Sequence, residues 1–356
     1  MKKAHLSLLN CPKCKSSKLE VDIEEQVAED IVEGTINCSS CNSIYPITKS
    51  IPRFVKGVSY ADSFGPQWNT FARSQIDCDK IKESEIRFDS EIGWMEKDIE
   101  GKVVVEFGSG AGRFLDIVSR RGAKLVVGID ATDAADASFG NLKDRSNVLI
   151  VQADIFNNPL RDKAFDKAYS IGVLHHTPDP EGAFQKMVKI VCGGGSVGVS
   201  LYEVSNYRRP NKDSVKVLGM VLMWALNEFR CEIFRLITTR LPEKVFLLYC
   251  KTVVPFLHYI NKIPLLRYFR YFLPSTCYRF LPVINSMVDT HDTYATKIVY
   301  KYCGRDVFQW FLRLGLSDII LRNSRAGWVS LVASVPKDSE RNVRGIVLVQ
   351  PGPPGA

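Results

Sequence analysis

The chain has no run of about 18 uncharged apolar residues, the length a bilayer-spanning helix needs. Its longest apolar stretch, residues 217–226, is about half that. The opening MKKAHLSLLN lacks the apolar core of a secretory leader and runs straight into CPKC. Ten cysteines without such a leader point to metal ligands and free thiols rather than a disulfide framework, and to a reducing, cytoplasmic setting. Charge of one sign is scarcely in excess: 47 Lys and Arg against 39 Asp and Glu give +8. With 46% hydrophobic and 24% charged residues, the composition is that of ordinary globular protein. At 356 residues there is room for one large domain and one or two small ones.

The chain is organised around residues 103–113, VVVEFGSGAGR. The valine run suits a strand buried on both faces. Three alternating glycines let the backbone turn tightly and approach a ligand where a Cβ would collide. Phe114, Leu115 and Val118 then give the buried stripe of a helix. Strand, glycine loop and helix form the ligand-binding opening of a doubly wound α/β fold. At this loop the dinucleotide pattern G-x-G-x-x-G fails, because its last position would be Arg113 or Leu115. The pattern is E-x-G-x-G-x-G, and a carboxylate at Glu106 repels a pyrophosphate but suits a ligand carrying an ammonium and a sulfonium. This resembles the first motif of the class I S-adenosylmethionine (SAM) methyltransferases. The resemblance implies a Rossmann-like seven-stranded sheet and places Glu106, Gly108, Gly110 and Gly112 at the cofactor.

Further strands follow in βα alternation, so the sheet should be mainly parallel with right-handed crossovers. KLVVGID ends in Asp130 beside Ala131, where a carboxylate can accept both ribose hydroxyls. The strand at 148–153 runs into Asp154 and Ile155. In the resembling family that acid takes the adenine amino group and the apolar residue packs on the ring. The fourth strand carries Ser170, a cofactor-side candidate, and ends in SIGVLHHTPDP. His175 and His176 therefore stand near the reactive methyl, and either neutral imidazole can take a proton from the attacking acceptor. No Asn-Pro-Pro-Tyr-type motif follows, which argues against amino-group DNA and glutamine methyltransferases. The fifth strand ends at Tyr202, a candidate acceptor contact.

Two further modules flank this core. Cys11-x-x-Cys14 and Cys38-x-x-Cys41, with 23 residues between the pairs, can supply four thiolates to a tetrahedral structural zinc. The segment between them alternates as a hairpin does, and metal binding would supply the folding energy of so small a unit. Its continuation IYPITKSIPRF resembles the end of ribbon domains related to the tRNA-methyltransferase activator family, here fused in cis. Nucleic-acid contact, substrate recruitment and stabilisation all remain open as its role. Phe64, Trp68 and Phe71 give a connector helix, with Gln67, Trp68 and Arg73 candidates to close over the cofactor: an aromatic face attracts a sulfonium and Arg73 can pair with the methionine carboxylate. This lead-in resembles bacterial proteins that join a zinc ribbon to a methyltransferase domain, a resemblance covering roughly residues 8–335.

Between residues 208 and 285 there are thirteen Lys and Arg but four Asp and Glu. Prolines at 242, 255, 264, 274 and 282 divide this stretch into short helices, an expected lid over the acceptor pocket. A cationic, aromatic lid suits a phosphorylated, carboxylated or lipid-linked acceptor, or rests on an anionic membrane; its Tyr and Arg also suit base stacking, although no RNA-binding motif is present. After it, the DTHDTY segment resembles one that precedes the last helix of the ribbon-fused family. It offers His291 as another candidate base and Asp289, Asp292 and Tyr294 as acceptor contacts. Residues 305–316 read as a one-faced helix and 317–333 as a closing hairpin. The expected organisation is a zinc ribbon (1–56), connector helices (57–100), a methyltransferase core (101–205 and 289–336), a helical lid (206–288) and a loose tail (337–356). The expected activity is methyl transfer from SAM to a small-molecule acceptor such as a sugar, lipid-linked or secondary-metabolite intermediate. RNA methylation and a non-catalytic SAM-binding module are the rival readings. The oligomeric state stays open.

Overall fold

The computed structural model describes residues 1–55, 60–78, 82–204, 214–322 and 327–337, with side chains omitted over 214–225. The expected tail falls outside the described residues except at Lys337, as does the stretch where the lid was expected to begin. Four antiparallel strands form the ribbon: β1 (Leu19–Val27), β2 (Asp30–Cys38), β3 (Ile44–Thr48) and β4 (Ile51–Pro52). The hairpin expected between the cysteine pairs is β1 with β2. Three short helices follow: α1 (Phe64–Thr70), α2 (Glu83–Glu91) and α3 (Glu96–Ile99).

The core alternates strand and helix through β5 (Val103–Phe107), α4 (Arg113–Arg120), β6 (Leu125–Asp130), α5 (Ala134–Leu142), β7 (Val148–Gln152), β8 (Phe165–Ile171), α6 (Pro180–Lys189) and β9 (Val191–Tyr202). Helix α6 starts where the sequence signals it: Pro180 opens the helix and the Asp179 carboxylate accepts from the Gly182 amide at 2.9 Å. The insertion comprises α7 (Ser214–Thr238), α8 (Glu243–Ile260), a 3-10 turn (Leu266–Phe272) and α9 (Val283–Ala295). The chain then returns through α10 (Gly304–Arg313), β10 (Ser317–Leu321) and β11 (Trp328–Ser334).

The seven-stranded sheet runs β10-β11-β9-β8-β5-β6-β7, parallel except where β11 pairs antiparallel with β9 and β10. This is the Rossmann-like class I arrangement. The order reverses between β5 and β8, so loops leaving their carboxyl ends diverge and leave a crevice. Valines and isoleucines of β5, β6 and β7 are buried on both faces, as a sheet covered by helices on each side requires. Val307, Trp310 and Phe311 of α10 are buried at helical spacing, and Phe311 packs on Phe184 with ring centroids 4.6 Å apart.

The ribbon continues this core. Leu9 pairs with Leu160, and the Asn10 amide donates to the Pro159 carbonyl at 2.6 Å. Leu9, Ile31, Ile36, Ile47 and Phe54 share one buried cluster with Val151, Ile155 and Leu160. At the β7 edge, the Phe54 amide donates to the Gln152 carbonyl at 2.8 Å, while Arg53 binds the Asp136 carboxylate at 3.0 Å and the Gln152 side chain at 2.7 Å.

Two expectations are corrected. Prolines do not cut the insertion into short helices throughout: α7 is 25 residues long, and Pro255 lies inside the 18-residue α8. Pro255 leaves the carbonyl of Lys251 without a helical donor, and Lys251 is an exposed residue. Helix α9 also runs through residue 288, so the DTHDTY residues ride on the insertion's last helix. Among the described residues no helix is long and apolar enough to cross a membrane. Because Leu9 is fully buried at the junction, Leu9→Ala should lower unfolding free energy by about 2–5 kcal/mol. Hydrogen exchange should show the Asn10 amide losing protection ahead of β5 and β6; equal protection in both variants would show that the ribbon is not held by this contact.

Candidate active site

A cavity of about 390 Å³ opens where β5 and β8 diverge. Glu106 near the end of β5, Gly108, Ser109 and Gly110 of the loop after it and Arg113 at the start of α4 line the cavity, with Asp130 ending β6, Ala131 and Thr132 just beyond it, and Ile155 after β7. Gly172, Val173 and His176 follow β8; Tyr202 and Trp328 lie at the adjoining ends of β9 and β11. The connector adds Tyr60, Phe64, Trp68 and Arg87; the insertion adds Tyr278, Asn285, Asp289 and Asp292.

The glycines have distinct physical roles. Gly108 has φ +77°, and a Cβ there would lie 2.3 Å from the Val173 side chain; only glycine fits. At Gly110, φ +51°, a Cβ would press on the Trp68 indole at 3.2 Å. Gly112 does not line the cavity. Its missing Cβ lets α4 close on Ser138 and Leu142 of α5, a packing role rather than the cofactor contact expected.

Two carboxyl groups stand buried in this cavity. Glu106 accepts from the buried Tyr169 hydroxyl at 3.1 Å. Burial pushes its carboxyl well above the usual carboxylate range, only partly opposed by the Tyr169 bond and by Arg113. Asp130 is likewise pushed up by burial, against hydrogen bonds from Thr132 and Gly110. Its Oδ1 accepts from both the amide (2.9 Å) and the hydroxyl (2.7 Å) of Thr132, while Oδ2 accepts only from the Gly110 amide at 2.9 Å. Oδ1 is thus saturated, and the two-oxygen ribose grip expected of Asp130 narrows to Oδ2. Acids whose carboxyls burial pushes up suit a cationic ligand, which favours their charged form.

The three candidate histidines separate. His176 lines the cavity. Its Nδ1 lies 2.8 Å from the Ile298 carbonyl, which can only accept, so Nδ1 carries the proton and Nε2 holds a lone pair. That Nε2 is buried without a protein partner. Burial lowers the imidazole to about 4, against the raising effect of the Ile298 bond. His175 is fully buried outside the cavity lining, packed between His176 and Tyr202 with tilted rings at centroid distances of 4.1 and 4.0 Å. His291 is also outside it; its Nδ1 donates to Gln67 Oε1 at 2.9 Å, tying α9 to α1.

Other expected contacts sit elsewhere. Because α1 ends at Thr70 and the chain then turns, Arg73 is carried to a surface recess beside Asp116, Arg120 and Arg145. Gln67 is turned to His291 instead of the cavity. One Asp154 oxygen accepts from the Tyr60 hydroxyl at 2.7 Å, and the Tyr60 ring lines the cavity where Asp154 was expected. The Ser170 hydroxyl donates to the Phe107 carbonyl at 2.9 Å, pinning β8 to β5. Tyr294 is fully buried within the insertion, bonded to Arg230 at 3.0 Å. Tyr202, Asp289 and Asp292 do line the cavity; the Tyr202 hydroxyl donates to Asp292 at 3.4 Å, and Tyr278 donates to Asp289.

Sequence reasoning missed the two arginines of the cavity. Arg87 lies 4.2 Å over the Trp328 ring and donates through Nε to Glu91 at 2.8 Å, leaving a buried Nη2 without a partner. Arg113 donates to Ser84 at 3.0 Å and to Gln75. Tyr278 and Asn285 were missed as well. Arg113 directly follows the glycine loop, whereas Arg87, Tyr278 and Asn285 carried no motif and reach the cavity by tertiary placement.

At the ribbon, the four cysteine sulfurs lie within 4.8 Å of one another, with Cys11–Cys41 at 3.6 Å and Cys14–Cys38 at 3.5 Å. Four thiolates about 2.3 Å from one zinc stand about 3.8 Å apart, so the cluster fits that ion. The two knuckles have the same design: the amides of Lys15 and Asn42 donate to the carbonyls of Cys11 and Cys38 at 2.8 Å, and both residues are left-handed at φ 59° and 57°.

Comparison with known proteins agrees with this architecture. Residues 105–199 match the methyltransferase domain family, and residues 2–50 match the Trm112p-like protein family. The mitochondrial ubiquinone biosynthesis O-methyltransferase of Dictyostelium discoideum is 33% identical over 29% of this chain and 36% of its own length. A tRNA U34 carboxymethyltransferase of Colwellia psychrerythraea is 36% identical over 27% of this chain and 31% of its own. The chain thus spans about a third of the length of these curated relatives. A solved complex of the Haloferax volcanii Trm112 methyltransferase activator with a methyltransferase shares 13% identity, covering 77% of this chain and 98% of that one, at a TM-score of 0.44. Elemental analysis of purified protein should find one zinc per chain, and Cys38→Ser should lose most of it and render the ribbon protease-sensitive; a metal-free wild type with an intact ribbon would refute the assignment.

Proposed function

We propose that this chain, a class I methyltransferase fold carrying a Trm112p-like ribbon in cis, is a SAM-dependent methyltransferase. The observation that carries the reading is the pair of buried acids, Glu106 and Asp130, beside a glycine loop in which a Cβ at Gly108 would collide with Val173. When bound, SAM would supply an electrophilic methyl on a cationic sulfur, which the acceptor attacks as the thioether leaves. Asp130 Oδ2 accepts a ribose hydroxyl, Ile155 and the Tyr60 ring flank the base, and Glu106 faces the ammonium. Arg113, next to the glycine loop, takes the carboxylate role expected of Arg73. His176 receives the acceptor's proton at Nε2, while its Nδ1–H stays on the Ile298 carbonyl and fixes the ring. With its pKa held down to about 4, this histidine is neutral throughout the physiological range. Tyr202, Asp289 and Asp292 orient the acceptor, and catalysis rests chiefly on holding two reactants together.

The acceptor reading shifts from a free small molecule towards RNA. Its supports are the tRNA-modifying relative and the Trm112p-like ribbon; the ubiquinone-pathway relative keeps a lipid-soluble acceptor as the rival. Incubation with isotopically labelled SAM and separate pools of tRNA and lipid extract tests both levels. Label in RNA supports this reading, label in lipid alone overturns the RNA acceptor, and absence of S-adenosylhomocysteine with every pool overturns transfer itself. His176→Asn should lower turnover about 10²-fold or more with SAM affinity unchanged; a wild-type rate would remove this base.

Proton linkage gives a further check. Free Glu106 holds its proton above the usual carboxylate range, whereas a bound cation favours the ionised form, so binding releases a proton. SAM affinity should therefore strengthen as pH rises through the raised Glu106 titration, and calorimetry in buffers of different ionisation heat should detect the release. Glu106→Gln should bind more weakly with less release; identical proton counts in both proteins would exclude this role.

A further inference from the structure

The insertion carries an exposure pattern that neither the cavity nor the ribbon uses. Among the described residues, 20 of the 29 exposed large hydrophobic side chains lie between Leu226 and Leu281. Twelve of these are aliphatic, and the least covered are Phe280 (89% exposed), Leu265 (86%) and Phe272 (75%). Such crowding of apolar side chains on a water-soluble surface marks an interaction site. Charge identifies the partner. From residue 244 to residue 288 there is no Asp or Glu, but there are six Lys and Arg. Lys262, Arg267 and Arg279 are exposed among the apolar tips, and Arg267 and Arg279 lie over the neighbouring Tyr268 and Phe280 rings at 4.9 and 5.5 Å.

We propose that this face, centred on residues 263–281, docks on an anionic bilayer surface. The apolar tips enter the headgroup–acyl boundary and the basic residues meet lipid phosphates, the division of labour of an interfacial anchor. Among the described residues no helix is both long and apolar enough to cross, and the proposed contact is peripheral. A single-stranded RNA face would present stacking aromatics and cations in a polar setting; Leu265, Leu266, Leu273, Ile263 and Leu281 offer bases nothing to stack on or bond to. A second copy of the chain would bring the same cations against themselves. The proposal does not depend on the methyltransferase reading.

Full-length protein sedimented with vesicles tests it. Vesicles of phosphatidylcholine plus phosphatidylglycerol should bind about tenfold or more tightly than phosphatidylcholine alone, and binding should fall as salt is raised. Leu265→Ser with Phe280→Ser should weaken vesicle binding about tenfold or more, and Lys262→Glu, Arg267→Glu and Arg279→Glu together should abolish the preference for anionic lipid. In all variants thermal melting and SAM binding should stay as in wild type, which separates loss of docking from loss of fold. Equal affinity of wild type and variants for anionic vesicles overturns the proposal. So does a dimer in sedimentation velocity that Leu265→Ser breaks and vesicles do not displace, or single-stranded RNA binding at this face that outcompetes vesicles.

Discussion

Two carboxyl groups held out of water at one end of a sheet are the constraint on which the site depends. Glu106 and Asp130 lie on adjacent parallel strands and are both almost fully buried. Burial pushes both carboxyls above their ordinary range. They are tolerated here because each is hydrogen-bonded: Glu106 by Tyr169, Asp130 by Thr132 and Gly110. The same bonds fix their positions, so the cavity is organised for positive charge before any ligand arrives.

The cavity is closed by elements far from the glycine loop in sequence. Helix α9 brings Asp289 and Asp292 over it and is tied down through His291 to Gln67 of α1. The connector brings Arg87, stacked on Trp328 of β11. Connector, insertion and final hairpin therefore share one wall of the cavity, and no piece makes it alone. The insertion turns one face to this wall and leaves an apolar, acid-free face to the outside.

The ribbon also does more than present a four-cysteine cluster. β7 is the edge of the seven-stranded sheet, and an open edge presents unpaired backbone groups. Arg53 and Phe54 cover that edge at Gln152, and Leu9 and Phe54 join the core beneath it. A four-cysteine cluster needs little core of its own when its hydrophobic residues are shared in this way.

Sequence alone determined what is local or periodic. The valine runs, alternate glycines and Asp130 identify strand, loop and strand end because chain neighbours dictate them. The paired Cys-x-x-Cys knuckles are legible for the same reason: four thiolates at fixed spacing are a local geometry. Tertiary structure alone decided which side chains face the cavity. His175 and His176 are adjacent in sequence, yet one is packed on Tyr202 and the other presents a free Nε2 because the Ile298 carbonyl, 122 residues on, takes its Nδ1 proton. Arg73 was the legible cation, but α1 ends too soon to hold it at the cofactor, and Arg87 and Arg113 occupy the cavity instead. Side-chain direction at such positions is set by packing between segments distant along the chain, which no local pattern encodes.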